Sequence, residues 1–237
     1  MTFPNAFNGV KKIFTSEILG LIGQVCSIVA LIGGAVSAAG LAANLLAEDA
    51  AETVSAEVAL GVGGILAGVF GIATLVLVII AYILKLVGLK QAGRDEESFH
   101  SGFVAAIFAL ILNIVSSIFS AIPGIGNAST VIANITQIVG YVCEIFIFLC
   151  IVNGVASLAE RLGKSEMVEK GMTIFKVYVV FIILTCIARI ITMLFGGSAA
   201  SVTITSIVTI VAGILSIVSY ILFIIYLAKA KKMLKEN

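Results

Sequence analysis

The sequence predicts an all-α integral membrane protein with six transmembrane helices, and three observations carry that prediction. Hydrophobic residues make up 61% of the chain and charged residues 11%, where a soluble domain has about 45–50% and about 25%. Six apolar stretches are each long enough to cross a hydrocarbon core of about 30 Å at about 1.5 Å per helical residue. The charges are also segregated: thirteen of the fourteen Lys and Arg residues lie in or beside the N-terminus, the second and fourth connections and the C-terminus. The first connection carries Glu48, Asp49, Glu52 and Glu57 and no basic residue. Basic residues near span ends are retained in the cytoplasm, so both termini are expected there. The chain reads as one polytopic domain over residues 1–237, in the cytoplasmic membrane of a bacterium.

The first span is expected over 18–46, after a polar lead that carries Lys11 and Lys12. A basic lead, an apolar run and the small residues Ser37, Ala38 and Ala39 also fit a cleavable signal peptide. The run is nevertheless long enough to span, and Val25 before Cys26 does not fit a lipoprotein box. The second span is expected over 58–89, where Gly64 and Gly68 form a G-x-x-x-G pair of the kind that admits a close helix neighbour. The most polar connection, 90–101, follows. A third span over 102–122 ends at the turn signal Pro123-Gly124. The fourth is expected over 130–158, the fifth over 173–195 and the sixth over 202–228, with Lys229, Lys231, Lys232 and Lys235 closing the chain.

An internal repeat fits these spans. A shift of 69 residues lays Gly102 on Gly171, Leu89 on Leu158 and Leu158 on Leu227, and sets the run 135–139 over 204–208. The simplest reading is three consecutive two-helix hairpins related by a parallel repeat about an axis along the membrane normal, unlike inverted transporter repeats.

The fourth span organises the functional reading. Asn134, Gln137, Tyr141 and Glu144 recur at helical spacing and place four polar side chains on one face of a segment otherwise built from Ile, Val, Phe and Leu. That face is expected to be covered by the other helices. Asn113 heads a polar face on the third span with Ser116, Ser117 and Ser120, and Arg189 lies between Thr185 and Thr192 on the fifth. Hydroxyls in membrane helices are mostly packing groups, but an acid or a guanidinium at mid-bilayer costs at least about 2.5 kcal/mol and marks a site. Three arrangements satisfy Glu144 and Arg189: an ion pair between the fourth and fifth helices, an outward-reaching Arg189 beside a functional acid, or a partner on another protein.

Other chemistries lack their residues. Cys26, Cys143, Cys150 and Cys186 lie in apolar segments without a C-x-x-C pair, and His100 is the one histidine, so neither a metal nor a cofactor is expected. The sequence contains no G-x-x-x-x-G-K-[ST], H-E-x-x-H or G-x-S-x-G, and an enzyme is not expected. Nor is nucleic acid, at a net charge of +1. The loop acids Asp95 and Glu96 read as a solvated face. Lys229 to Lys235 reads as a topology anchor or as a contact with anionic lipid heads.

Two functions remain. One is a transport or channel-like role, with a polar pathway lined by Asn134, Gln137, Tyr141 and Glu144 and assisted by Asn113 and Arg189. The other is a non-transporting scaffold, an immunity or assembly factor, or the membrane subunit of a larger complex. Expected partners are membrane lipids, a second copy of the chain or another membrane subunit.

Overall fold

The computed structural model describes residues 3–46, 50–121, 127–195 and 199–236, and all of its regular structure is helical. The helices are α1 (Pro4–Leu46), α2 (Ala50–Ala92), α3 (Glu97–Ala121), α4 (Asn127–Arg161), α5 (Ser165–Phe195) and α6 (Ala199–Lys235). Six of them are long and apolar enough to cross a membrane, which makes this a polytopic membrane protein. Glu48, Asp49 and the Pro123-Gly124 turn lie outside the described residues.

The helices run past the apolar spans at their basic ends. The polar lead is helical from Pro4, and the connection 90–101 shrinks to residues 93–96 because Lys90 and Gln91 continue α2 while Ser98 to Ser101 belong to α3. Hydropathy marks where a span leaves hydrocarbon, whereas Lys, Arg, Glu and Gln are good helix formers beyond it. Between α4 and α5 only residues 162–164 are non-helical. There Gly163 takes a φ of 69°, and the Lys164 N–H returns to the Ala159 carbonyl at 2.8 Å, which is glycine's usual way of closing a helix.

The chain divides into two compact units, residues 15–85 and residues 1–14 with 86–237. In the first, α1 and α2 meet through small residues. A Cβ on Gly63 would lie 2.6 Å from the Gly33 carbonyl and 2.5 Å from the Ser37 nitrogen, so the two backbones touch there. The Ser37 hydroxyl donates to the Leu60 carbonyl at 3.3 Å. The Gly64–Gly68 pair singled out by spacing faces away, with nothing near Gly68 and only the Ser37 hydroxyl, at 3.9 Å, near Gly64.

In the second unit α3 packs on α4, α4 on α5 and α5 on α6. The core lies at the end that carries the basic connections. Leu89, Phe99, Val152, Val155, Leu158 and Leu227 are fully buried there, together with Val10 and Ile13 from the start of α1. Close approach again needs glycine: a Cβ on Gly154 would strike the Phe99 ring at 2.5 Å.

Candidate functional site

The polar residues of α4 belong to the same helical row as its core. From Gln137 the row steps by three or four residues through Tyr141, Glu144, Phe148, Val152, Val155 and Ala159. Phe148 and the three residues after it are buried, whereas Gln137 and Glu144 are exposed and Tyr141 is half-buried. Within the chain, then, the polar part of the row is not covered as expected. Among the described residues the buried packing of the second unit is concentrated at the basic end, and Gln137 and Glu144 are exposed beyond it.

The change from open to buried coincides with an aromatic cluster. The Phe148 ring stacks on Tyr178 of α5 at 4.2 Å between centroids, with 8° between planes. It also meets Phe223 of α6 at 4.3 Å and Phe175 of α5 at 6.3 Å. Such pairs are worth about 0.5–1.5 kcal/mol beyond area burial in soluble proteins. One turn from Phe223 along α6, on the side away from the basic end, Ser219 is 1% exposed, and its buried hydroxyl makes no hydrogen bond among the described residues. Three helices therefore contribute rings to one layer, with Glu144 and Ser219 each one turn beyond it.

The other expected site residues divide. Asn113 is exposed on α3 and its amide donates to the Ala109 carbonyl of its own helix at 2.9 Å. Ser117 and Thr185 likewise donate to the carbonyls of Asn113 and Phe181 within their own helices. The side chains of Asn134 and Arg189 lie outside the described residues. Among the described residues, Gln137, Tyr141 and Glu144 stand together along one row, and Asn113 bonds within α3.

The sequence reading missed two polar assemblies. In the first unit Glu17, at 6% side-chain exposure, pairs with Lys85 at 2.7 Å. In the second, Asp95 and Glu96 are structural, not a solvated face. Asp95 accepts the Asn5 amide at 2.9 Å and the Ala6 N–H at 2.8 Å, and so caps the start of α1 from the α2–α3 connection. The Glu96 carboxylate accepts the Ser157 hydroxyl at 2.9 Å and pairs with Arg161 at 2.8 Å, tying that connection to the end of α4. Lys12 donates to the Gln91 side chain at 2.7 Å alongside. No spacing rule identifies these contacts, because each joins positions at least 61 residues apart.

The chain matches no known protein family, and no curated protein or solved structure is detectably similar to it.

Proposed function

We propose that this polytopic membrane protein has a transport or channel-like role and no enzymatic one, with its pathway following the α4 row around Glu144 and closing at Phe148, Tyr178 and Phe223. The observation that carries this reading is the continuity of the row. An exposed Gln137, a half-buried Tyr141 and an exposed Glu144 run straight into a buried aromatic layer on the same helix face. An acid kept at membrane depth is a functional group by default, and an apolar constriction beside it suits a gate that works by excluding water.

Proteoliposomes loaded with a pH-sensitive dye and driven by a potassium diffusion potential test the reading. Phe148→Ala is expected to raise proton or potassium flux above wild type, and adding Glu144→Gln to lower it again. Flux equal to that of protein-free vesicles in both variants counts against transport.

The scaffold reading has its own observation. Gly61, Gly64, Gly68 and Gly71 share a face of α2, and a Cβ on any of them would meet at most the Ser37 hydroxyl, at 3.9 Å. Such a face suits close approach by another membrane helix, from a second copy or another subunit. The parallel repeat draws support from Leu89, Leu158 and Leu227, which are equivalent under the shift and all fully buried. The expected orientation, with both termini in the bacterial cytoplasm, rests on charge distribution.

A further inference from the structure

We infer that two copies of this chain associate in the membrane through the outward face of α4, with the Asn153 amide of each copy hydrogen-bonded to that of the other. Ile135, Val139, Val142, Phe146, Leu149 and Asn153 recur at alternating steps of four and three residues. This is a heptad seam, the spacing at which two membrane helices pack along each other with a slight left-handed crossing. At about 100° per residue the seam points away from Phe148 and the core row. It is also open: Ile135, Val142 and Phe146 are 53%, 59% and 47% exposed, Leu149 is half-buried and Asn153 is exposed.

Asn153 selects the occupant of this face. It lies within the apolar stretch 135–161, about 12 Å along the helix from Arg161. At that depth an exposed amide meets hydrocarbon instead of water, and leaving it unpaired is costly. Asn113, also exposed, turns its amide back onto the Ala109 carbonyl of its own helix. Among the described residues the Asn153 side chain makes no such bond, and no side chain of the same copy pairs with it. A carboxamide is donor and acceptor at once, so it is complementary to a second carboxamide. Two copies with the same topology place their α4 helices parallel, and a two-fold axis along the membrane normal sets each seam residue against its own counterpart. Symmetry therefore supplies the missing amide at the one level where it is needed. In the alternation of the seam, Asn153 takes the place at which a single polar residue fixes register and oligomeric state in parallel coiled coils. The inference is independent of the transport reading, because the seam leaves the Glu144 row uncovered.

The test uses the full-length protein in two settings. In native membranes, in a background without native cysteines, Phe146→Cys is expected to give an oxidant-dependent crosslink with the mass of two chains. Ile183→Cys, on the exposed side of α5, is expected to give none. In detergent, sedimentation equilibrium measures the dimer dissociation constant. Asn153→Leu is expected to raise it about 3- to 30-fold, and Asn153→Gln, which keeps the amide, to recover part of that rise. Circular dichroism checks that the variants stay helical, and the Phe146→Cys crosslink decides the matter if Asn153→Leu does not. A protein that stays monomeric at every concentration overturns the inference. So does a dissociation constant that a folded Asn153→Leu moves by less than about twofold, the size of an ordinary surface change, because the copies would then meet through another face. A Phe146→Cys crosslink to a product of any other mass, or no crosslink, overturns it as well: the face would then belong to a different protein or to lipid.

Discussion

Phe148 and Tyr178 stack face to face, 4.2 Å between centroids and 8° from parallel, one helical turn along α4 from Glu144. The stack fixes α4 against α5 at the level where the polar row becomes core, and Phe223 closes the same layer from α6. Truncating the central ring removes three ring contacts at once. Phe148→Ala is expected to destabilise the protein by about 3 kcal/mol, and Phe148→Leu by less, as read from thermal unfolding in detergent. A loss under about 0.5 kcal/mol, the size of an ordinary surface change, would mean that the layer does not hold these helices together.

The two kinds of glycine in α2 should behave oppositely. A methyl group at Gly63 meets the backbone of Gly33 and Ser37 inside 3.0 Å, so Gly63→Ala forces α1 and α2 apart and is expected to cost about 1–3 kcal/mol. At Gly68 nothing lies within 4 Å. Gly68→Ala is therefore expected to be neutral, or stabilising by up to about 1 kcal/mol through helix propensity. Unfolding of both variants in detergent checks the pair, and equal losses would contradict the α1–α2 contact. If Gly68→Ala instead abolishes a crosslinked dimer without changing stability, the open glycine face is an interface.

These cases show what was legible in the sequence. Six helices and their order follow from apolar length, which is a property of each stretch alone. The row Gln137, Tyr141 and Glu144 was likewise legible, because helical spacing fixes it before anything packs. Its continuation into Phe148 and the aromatic layer was not, since Tyr178 and Phe223 reach Phe148 from other helices. The G-x-x-x-G spacing at Gly64 and Gly68 finds a small-residue face, but spacing does not say which of several faces meets α1, and that contact is made at Gly63. Glu17 carries no motif, and Asp95 reads as solvated in the sequence, for a related reason. Asp95 lies in a run of charges and Glu17 stands among uncharged residues, and only the fold brings the start of α1 to the one and Lys85 to the other.

Asp95 gives a local prediction. Its carboxylate accepts the Ala6 N–H and the Asn5 amide, so it offsets the partial positive charge of the first turn of α1. Asp95→Ala is expected to cost about 1–2 kcal/mol and to speed hydrogen exchange at the first amides of α1 while leaving those of α5 unchanged. Uniformly faster exchange would show that the cap acts globally and not on α1.

The orientation is open to direct labelling in a background without native cysteines. Ala51→Cys, near the first connection, is expected to react with an impermeant thiol reagent added outside intact cells. Ser98→Cys, at the start of α3, is expected to stay protected until the membrane is opened. The reverse pattern would invert the topology.

The Glu17–Lys85 pair bears on how the hairpin of residues 15–85 tolerates charge. Glu17 is nearly enclosed while Lys85 keeps 28% of its side chain exposed, so the lysine retains some hydration and the carboxylate depends on the lysine. Removing one member leaves the other charged without its partner, which in buried pairs costs about 3–5 kcal/mol. The partial exposure of Lys85 places Lys85→Met at or below the low end of that range. Glu17→Leu is expected to cost less still, since the stranded ammonium can reach toward the headgroups. The double variant Glu17→Leu with Lys85→Met replaces both charges by apolar groups of similar reach and is expected to recover most of the larger loss. A double-variant cycle on unfolding in detergent measures this coupling directly. Additive losses would show that the 2.7 Å contact contributes nothing as a pair, and that each side chain acts through its own packing.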